Sequence, residues 1–284
     1  MKKLFTALLT VLSVGAMAQD VTLAKTKYRK TMPVVFEVSA GINNSKFIDF
    51  GTSPLYYRGS LITFMGAIRK ETAKREVFFS LRYSTGSYSM NYNDIETASK
   101  LNLIGNSSIR YTRLYQINVM KSEKWNLKAG GTVDFTADFR SNPALLNNGL
   151  GYELFTTLMA SGKISRDISN TEMKKMWFLK FKPKMRKLSY QLDLALINGN
   201  LRNGYIFSNS TPVYNDASFF KQYEYNIFSG YRMGSRLDYE QAVFGNNTLK
   251  FSYVWDAMMS GKDGQDRFQL VNNMLLVSLN IKLR

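Results

Sequence analysis

The chain has 284 residues, with 38 Lys and Arg against 21 Asp and Glu, 45% hydrophobic residues, and neither Cys nor His. Those two absences exclude disulfide frameworks, thiolate nucleophiles, iron–sulfur and zinc-finger sites, Ser-His-Asp triads and His-metal centres. The net charge of +17 raises nucleic acid as a partner, but nucleic-acid binding needs a basic face with stacking aromatics. Here the aromatics alternate in register with aliphatics, so no nucleic-acid partner is expected.

Residues 1–18 read as a signal peptide. Lys2 and Lys3 precede the apolar stretch Leu4–Val14, and Ala16-Met17-Ala18 supplies the small-x-small pattern a signal peptidase requires. The stretch is too short for a stable membrane anchor, and the chain beyond it holds no apolar run long enough for a spanning helix. Residues 19–284 are expected to form a single domain, without internal repeats, linkers or low-complexity blocks.

From there, period two dominates. Weaker strands are predicted near 34–41, 58–69 and 150–164. Val77, Phe79, Leu81 and Tyr83 alternate with Phe78, Ser80 and Arg82; Ile109, Tyr111 and Tyr115 alternate with Arg110, Thr112 and Gln116, with Arg113 breaking the apolar face. Between Trp125 and Ala137 the odd positions are apolar or small, whereas the even positions are Asn126, Lys128, Gly130, Thr132, Asp134 and Thr136. A strand of that length suits a tilted crossing of about 30 Å of hydrocarbon. Leu188–Leu196, Leu249–Trp255 and Leu275–Leu283 repeat the pattern, and residues 219–243 keep one parity and read as one long strand, with a hairpin at Gly230 or Gly234 as the alternative. The segment 165–187, with Met176-Trp177-Phe178-Leu179, is either an extra hairpin or the joined ends of two strands. The five prolines fall outside the predicted strand interiors, where a missing N–H would break the ladder. Arg69–Lys74 and Lys121–Lys124 read as tight turns; Asn43–Tyr57, Ser84–Gly105, Arg140–Gly149 and Asn198–Ala217 read as long loops.

This pattern, the Lys2-Lys3 signal and the final Val277–Arg284 strand resemble Gram-negative outer-membrane β-barrels of unassigned function. The last residue departs from the aromatic that usually ends such chains: it is Arg284, after Leu283. The resemblance implies an all-β, up-and-down antiparallel transmembrane barrel of about ten strands, or twelve if both doubtful segments add hairpins. Short periplasmic turns, long extracellular loops and residence in the cell outer membrane go with it. Implied partners are membrane lipid, outer-membrane glycolipid, the barrel-assembly machinery during biogenesis, and an unidentified protein reached through the loops.

The polar face supplies the candidate lumen-lining residues Arg82, Arg110, Lys128, Asp134, Asp138, Glu153, Asp193, Lys250, Asp256 and Lys282. Trp125, Trp177 and Trp255 are candidates for the interfacial aromatic girdles. No catalytic residue, cofactor or metal is expected, because the outer-membrane phospholipase, deacylase and protease barrels work through His. Asp134 and Asp138 stand roughly 13 Å apart along one strand, too far to share a proton or a small metal ion. The expected role is a narrow pore or solute-binding channel. The alternative is a closed barrel serving as a structural anchor that binds a partner through its loops. A His-independent enzyme acting on lipid or glycan comes third, and a soluble lipocalin-like barrel is disfavoured by the apolar outer faces.

Overall fold

A computed structural model describes residues 33–51, 53–92, 95–117, 124–141, 150–169, 174–176, 179–181, 184–203, 223–244, 247–261 and 267–283. The signal peptide expected at 1–18, Trp177 and most of the expected Asn198–Ala217 loop lie outside them. Thirteen strand segments run in chain order among the described residues: β1 (Val34–Asp49), β2 (Ser53–Glu71), β3 (Arg75–Tyr92), β4 (Ile95–Gln116), β5 (Trp125–Ser141), β6 (Leu150–Asp167), β7 (Lys174–Met176), β8 (Leu179–Phe181), β9 (Arg186–Asn203), β10 (Tyr223–Ile227), β11 (Tyr231–Ala242), β12 (Thr248–Ser260) and β13 (Phe268–Leu283). No helix among them is long and apolar enough to cross a membrane.

The strands pair antiparallel with their chain neighbours, β13 pairs with β1, and β6 pairs with β9. Every wall strand thus has a partner on both sides, which removes the exposed edge an open sheet presents. β10 and β11 both pair with β9, along Gly199–Asn203 and Arg186–Leu194 respectively. They are two parts of one wall strand, interrupted where Phe228 and Gly230 take positive φ values of 58° and 82°. An L-residue strains in that region and glycine does not, so Gly230 marks a kink in one strand rather than a hairpin. The wall therefore has ten strands. β7 and β8 form a separate two-stranded hairpin, the first of the two readings of segment 165–187.

Side chains alternate across this wall in the sense inverse to a water-soluble protein. On β13, Leu275 is 55% exposed on the outside while its neighbour Met274 is fully covered on the inside. Phe36, Val38, Ile42, Phe64, Leu81, Val133, Phe135, Leu192, Phe251 and Val277 also stand exposed outside. Glu37, Thr63, Lys128, Asp134, Glu153, Arg232 and Lys250 are buried inside. Water would drive the opposite arrangement; a hydrocarbon solvent drives this one.

Both chain ends of the barrel lie at the end with tight turns. Thr72 caps the β2–β3 turn: its N–H donates to the Arg75 carbonyl at 2.8 Å, and its Oγ1 accepts from the Arg75 N–H at 3.1 Å. At the opposite end the strands run further than the sequence suggests. Two of the expected loops, Asn43–Tyr57 and Ser84–Gly105, are largely strand: β1 continues to Asp49 before β2 starts at Ser53, and β3 and β4 extend to Tyr92 and from Ile95. Polar cross-strand pairing holds them, as in the Ser60 hydroxyl donating to Asn44 Oδ1 at 2.8 Å and Asn43 Nδ2 donating to Asn272 Oδ1 at 3.0 Å.

Candidate functional site

The candidate site is the lumen, and it is filled in three tiers. The turn-end tier is ionic. Arg69 on β2 forms a two-pronged pair with Glu240 on β11, at 2.5 and 2.8 Å. Glu71 receives Lys128 at 2.8 Å and Lys187 at 2.6 Å, while Glu76 receives Lys163 at 2.5 Å and Lys128 at 3.2 Å. Glu37 takes Lys250 at 2.5 Å and Arg236 at 3.3 Å, and Arg236 also donates to Asp238 at 2.8 Å. Strand alternation aims all these side chains at the axis, and the narrow bore brings opposite walls within reach.

The middle tier centres on Arg232. Its guanidinium donates to both oxygens of Asp256, at 2.9 and 2.7 Å, and across the bore to Asp134 Oδ1 at 2.7 Å and Thr136 Oγ1 at 3.1 Å. Arg110 Nε donates to the other Asp134 oxygen at 2.7 Å, and its Nη1 reaches Asp193 at 3.4 Å. Arg82 approaches Asp256 at 3.6 Å and Met274 Sδ at 3.5 Å. Asp138, one inward position beyond Thr136, accepts from the Asn106 amide. A void of about 20 Å³ remains next to Phe78, Arg110, Gln191 and Lys250, which is room for about one water molecule.

The loop-end tier is aromatic. Phe47 stacks on Tyr57 with ring centres 4.9 Å apart and meets Tyr88 edge-on at 4.8 Å; Phe155 stacks on Phe268 at 5.2 Å. Leu61, Met258 and Leu270 complete this cluster. Two arginines lie against it: Arg140 over Phe47 at 4.7 Å and Arg202 over Phe268 at 4.6 Å. Both also bind Asp49, at 2.9 and 2.7 Å, and Arg140 pairs with Glu153.

Nine of the ten sequence-predicted lumen residues thus point into the bore; within that set Arg110 meets Asp134 and Asp193 and Arg82 meets Asp256, while Lys128, Asp138, Glu153 and Lys250 meet other lumen residues. Lys282 is the correction. It is exposed at the turn-end mouth, at the penultimate position of β13, where the wall ends before it can enclose a side chain. Lys282 there borders a cavity of about 510 Å³, with Lys124, Arg186 and Lys187, whose floor is the Arg69–Glu240 pair and Glu71. The lumen residues not singled out from the sequence include Glu37, Asp49, Arg69, Glu76, Arg140, Lys163, Arg202, Arg232, Arg236, Asp238 and Glu240. Arg232, Arg236, Asp238 and Glu240 share a parity opposite Leu237 and Tyr239, and that signal was available to find them. Of the girdle candidates, Trp125 stands at the turn-end start of β5 with Arg166 5.0 Å from its ring. Trp255 lies half-buried on the outer wall opposite Asn273, and Trp177 lies outside the described residues.

No family model matches the chain, and no curated protein matches its sequence. Among solved structures, it is similar to the outer membrane protease OmpT of Escherichia coli, with a TM-score of 0.53 at 8% identity over 91% of this chain and 99% of that one. The fold is that of a Gram-negative outer-membrane β-barrel. The transport unit of the autotransporter AIDA-I from Escherichia coli aligns with a TM-score of 0.44 at 9% identity, over 97% and 96% of the two chains. Neisserial surface protein A aligns at 0.29 and 14%, over 87% and 97%. At such identities the likeness speaks to fold and not to activity.

Chemically, most charged groups in the lumen of this outer-membrane-type barrel are ion-paired, while single atoms such as Arg82 Nε, Arg110 Nη2 and Asp138 Oδ2 are buried without a hydrogen-bond partner. The carboxylates that sequence reasoning considered as an acid–base pair are engaged, with Asp134 held by two arginines, Ser108 and Thr136. Buried charges persist only when so compensated. The arrangement fills and stiffens the barrel.

Proposed function

We propose that the protein is a closed outer-membrane barrel, a membrane-embedded anchor that presents its loop-end hairpins outside the cell, rather than a pore. Supporting this choice over the channel reading is the filling of the lumen at three successive levels, with Arg232 spanning the bore between Asp134 and Asp256 and, toward the turn end, a void beside Phe78, Arg110 and Lys250 with room for about one water. A conducting path needs a continuous column of water wide enough for a hydrated solute. Opening one here would break charge-assisted bonds and strand buried charges, each costing several kcal/mol. In this reading the mouth with Lys124, Arg186, Lys187 and Lys282 faces the periplasm, the extended β1–β2 and β3–β4 hairpins face outward, and no catalytic role is assigned to the lumen.

The test is electrical. Purified barrel reconstituted into a planar bilayer is expected to give no discrete conductance steps under ordinary voltages, with insertion verified by protease protection in parallel liposomes. Reproducible steps from verified insertions would overturn the anchor reading in favour of a channel. Orientation is checked by labelling a cysteine placed at Ser89 in intact cells, where labelling without permeabilisation is the expected result.

A further inference from the structure

The ion pairs that fill the lumen stop short of its turn-end mouth. The cavity of about 510 Å³ there falls in the size range of small-ligand pockets. Five cations line it against three carboxylates, an excess of two positive charges. Arg69 is engaged by Glu240, and Lys187 by Glu71. Lys124, Arg186 and Lys282 have no carboxylate within ion-pair distance among the described residues, and Asp167 is the remaining acid of the lining. Lys124 precedes β5, Arg186 opens β9 and Lys282 ends β13, so closure of the wall and not local sequence gathers them at one opening.

Hydrogen-bonding groups of the same lining are left over. Asn126 Nδ2 donates to the Ala73 carbonyl at 2.8 Å, which fixes the amide and leaves Oδ1 covered and without a partner. Asn280, only 2% exposed, donates through Nδ2 to Thr248 Oγ1 at 3.0 Å, and its Oδ1 is likewise unpartnered. Arg69 Nε and Arg186 Nε are buried donors without an acceptor. Each such group carries a desolvation cost until something pairs with it. Val35, Met185 and Ala242 supply an apolar side to the cavity. The backbone around it is tied down: the Arg186 N–H donates to Ser169 Oγ at 2.9 Å, and the Ala242 N–H to the Met185 carbonyl at 3.0 Å.

We propose that this mouth binds the free carboxylate end of a short periplasmic peptide. Lys124, Arg186 and Lys282 take the carboxylate, the Asn126 and Asn280 amide oxygens accept peptide N–H groups, and the Val35–Met185–Ala242 side receives an apolar side chain. The choice of ligand follows from the mixture of groups. A phosphate dianion meets the cations but is repelled by Glu71, Asp167 and Glu240, and it has no N–H to offer two amide oxygens. A peptide end carries a single carboxylate and its own donors, so it satisfies both halves of the lining. The inference goes beyond the anchor reading and takes from it only the periplasmic placement of this mouth.

The experiment uses the full barrel in non-ionic detergent micelles at low ionic strength, titrated with a fluorescent short peptide and read by anisotropy. The peptide is compared in three forms: with a free C-terminal carboxylate, as the C-terminal amide, and as the acid with its last peptide nitrogen methylated. Wild type is expected to bind the acid about tenfold more tightly than the amide and about threefold more tightly than the methylated acid, the sizes of a charge-assisted and a neutral hydrogen bond. Lys124→Ala/Lys282→Ala is expected to lose about tenfold for the acid and to bind the amide as before. Lys70→Ala/Lys74→Ala removes turn-end cations outside the cavity and is expected to bind as wild type does. Equal binding of acid and amide, no loss on methylation, or an equal loss in the two double variants would each overturn the site. So would complete displacement of the peptide by millimolar inorganic phosphate, which would indicate a free-phosphate site. Folding is followed by heat-modifiable gel mobility; should the alanine pair fail to fold, Lys124→Gln/Lys282→Gln carries the same expectation. Binding in micelles depends on neither orientation nor conductance, so its failure leaves the anchor reading standing, and a conducting barrel that binds the acid overturns that reading alone.

Discussion

The two ends of the lumen are closed by opposite chemistry. Toward the turn end and the middle, carboxylates and cations from facing strands neutralise one another, as at Arg69–Glu240 and Asp134–Arg232–Asp256. At the loop end the bore is closed by Phe47, Tyr57, Tyr88, Phe155 and Phe268, under a belt of Arg140, Arg202, Asp49 and Glu153. The apolar plug needs only contact area, so it tolerates imperfect geometry. The ionic plug depends on every partner being present, because a lone buried charge costs more than a pair returns. The lesson is that polar-inside is a rule about the wall next to lipid. Where the strands project past the membrane, the inside can revert to an ordinary hydrophobic core.

The comparison breaks most sharply at Arg232. Arg232→Ala leaves Asp134 and Asp256 facing each other without their shared cation, and the expected loss is about 3–5 kcal/mol of unfolding free energy. Urea titration of barrel in liposomes, read by tryptophan fluorescence, measures it; a loss below about 1 kcal/mol would mean that the network contributes filling and little else. At the other end, Phe155→Ala removes a fully covered ring stacked on Phe268 and is expected to cost about 3 kcal/mol. Phe155→Leu should recover most of that loss, because contact area rather than a specific partner is what the loop-end tier requires. If Leu recovers none of it, the aromatic tier is as geometry-dependent as the ionic one and the contrast fails.

The sequence carried the wall more faithfully than the plugs. Within the membrane band of β5, β9, β12 and β13, as at Leu188–Leu196 and Leu275–Leu283, the outward parity is an apolar or small series because lipid disfavours anything else, so those stretches were legible residue by residue. On Asn43–Tyr57 and Ser84–Gly105 that pressure is relieved. Outward positions become Asn44, Ser60 and Ser87, inward ones become Phe47, Tyr57 and Tyr88, and a polar-aromatic mixture reads as loop although it pairs as strand. Asp49 and Arg140 were missed for the same reason, since they sit where the parity signal has inverted. Lys282 was misplaced because parity names a face without saying where the wall stops. The partners within the lumen were not legible, since contacts such as Arg232 with Asp134 depend on the diameter of the closed barrel and on its register.

Two further measurements sharpen the contrast at smaller amplitude. If the plugs act in series, emptying one should leave the barrel shut. Phe155→Ala/Phe268→Ala enlarges the loop-end space while Arg232 still spans the bore, so bilayer recordings are expected to stay silent. Steps appearing in this variant would place the seal in the aromatic tier alone.

The smallest expected effect lies on the outer wall, at Trp125. Its ring takes the Arg166 guanidinium at 5.0 Å near the turn-end rim, and the two residues are cross-strand partners. A cation over an indole at an exposed site contributes about 0.5–1 kcal/mol, far less than either plug. A double-mutant cycle of Trp125→Ala and Arg166→Ala should give a coupling of about 0.5 kcal/mol, because the contact is shared between headgroup water and lipid and neither group is fully desolvated. A coupling indistinguishable from zero would mean that Trp125 acts at the interface through its own amphipathic ring. In that case, the rim cations owe their position to the lipid phosphates and not to the aromatic girdle.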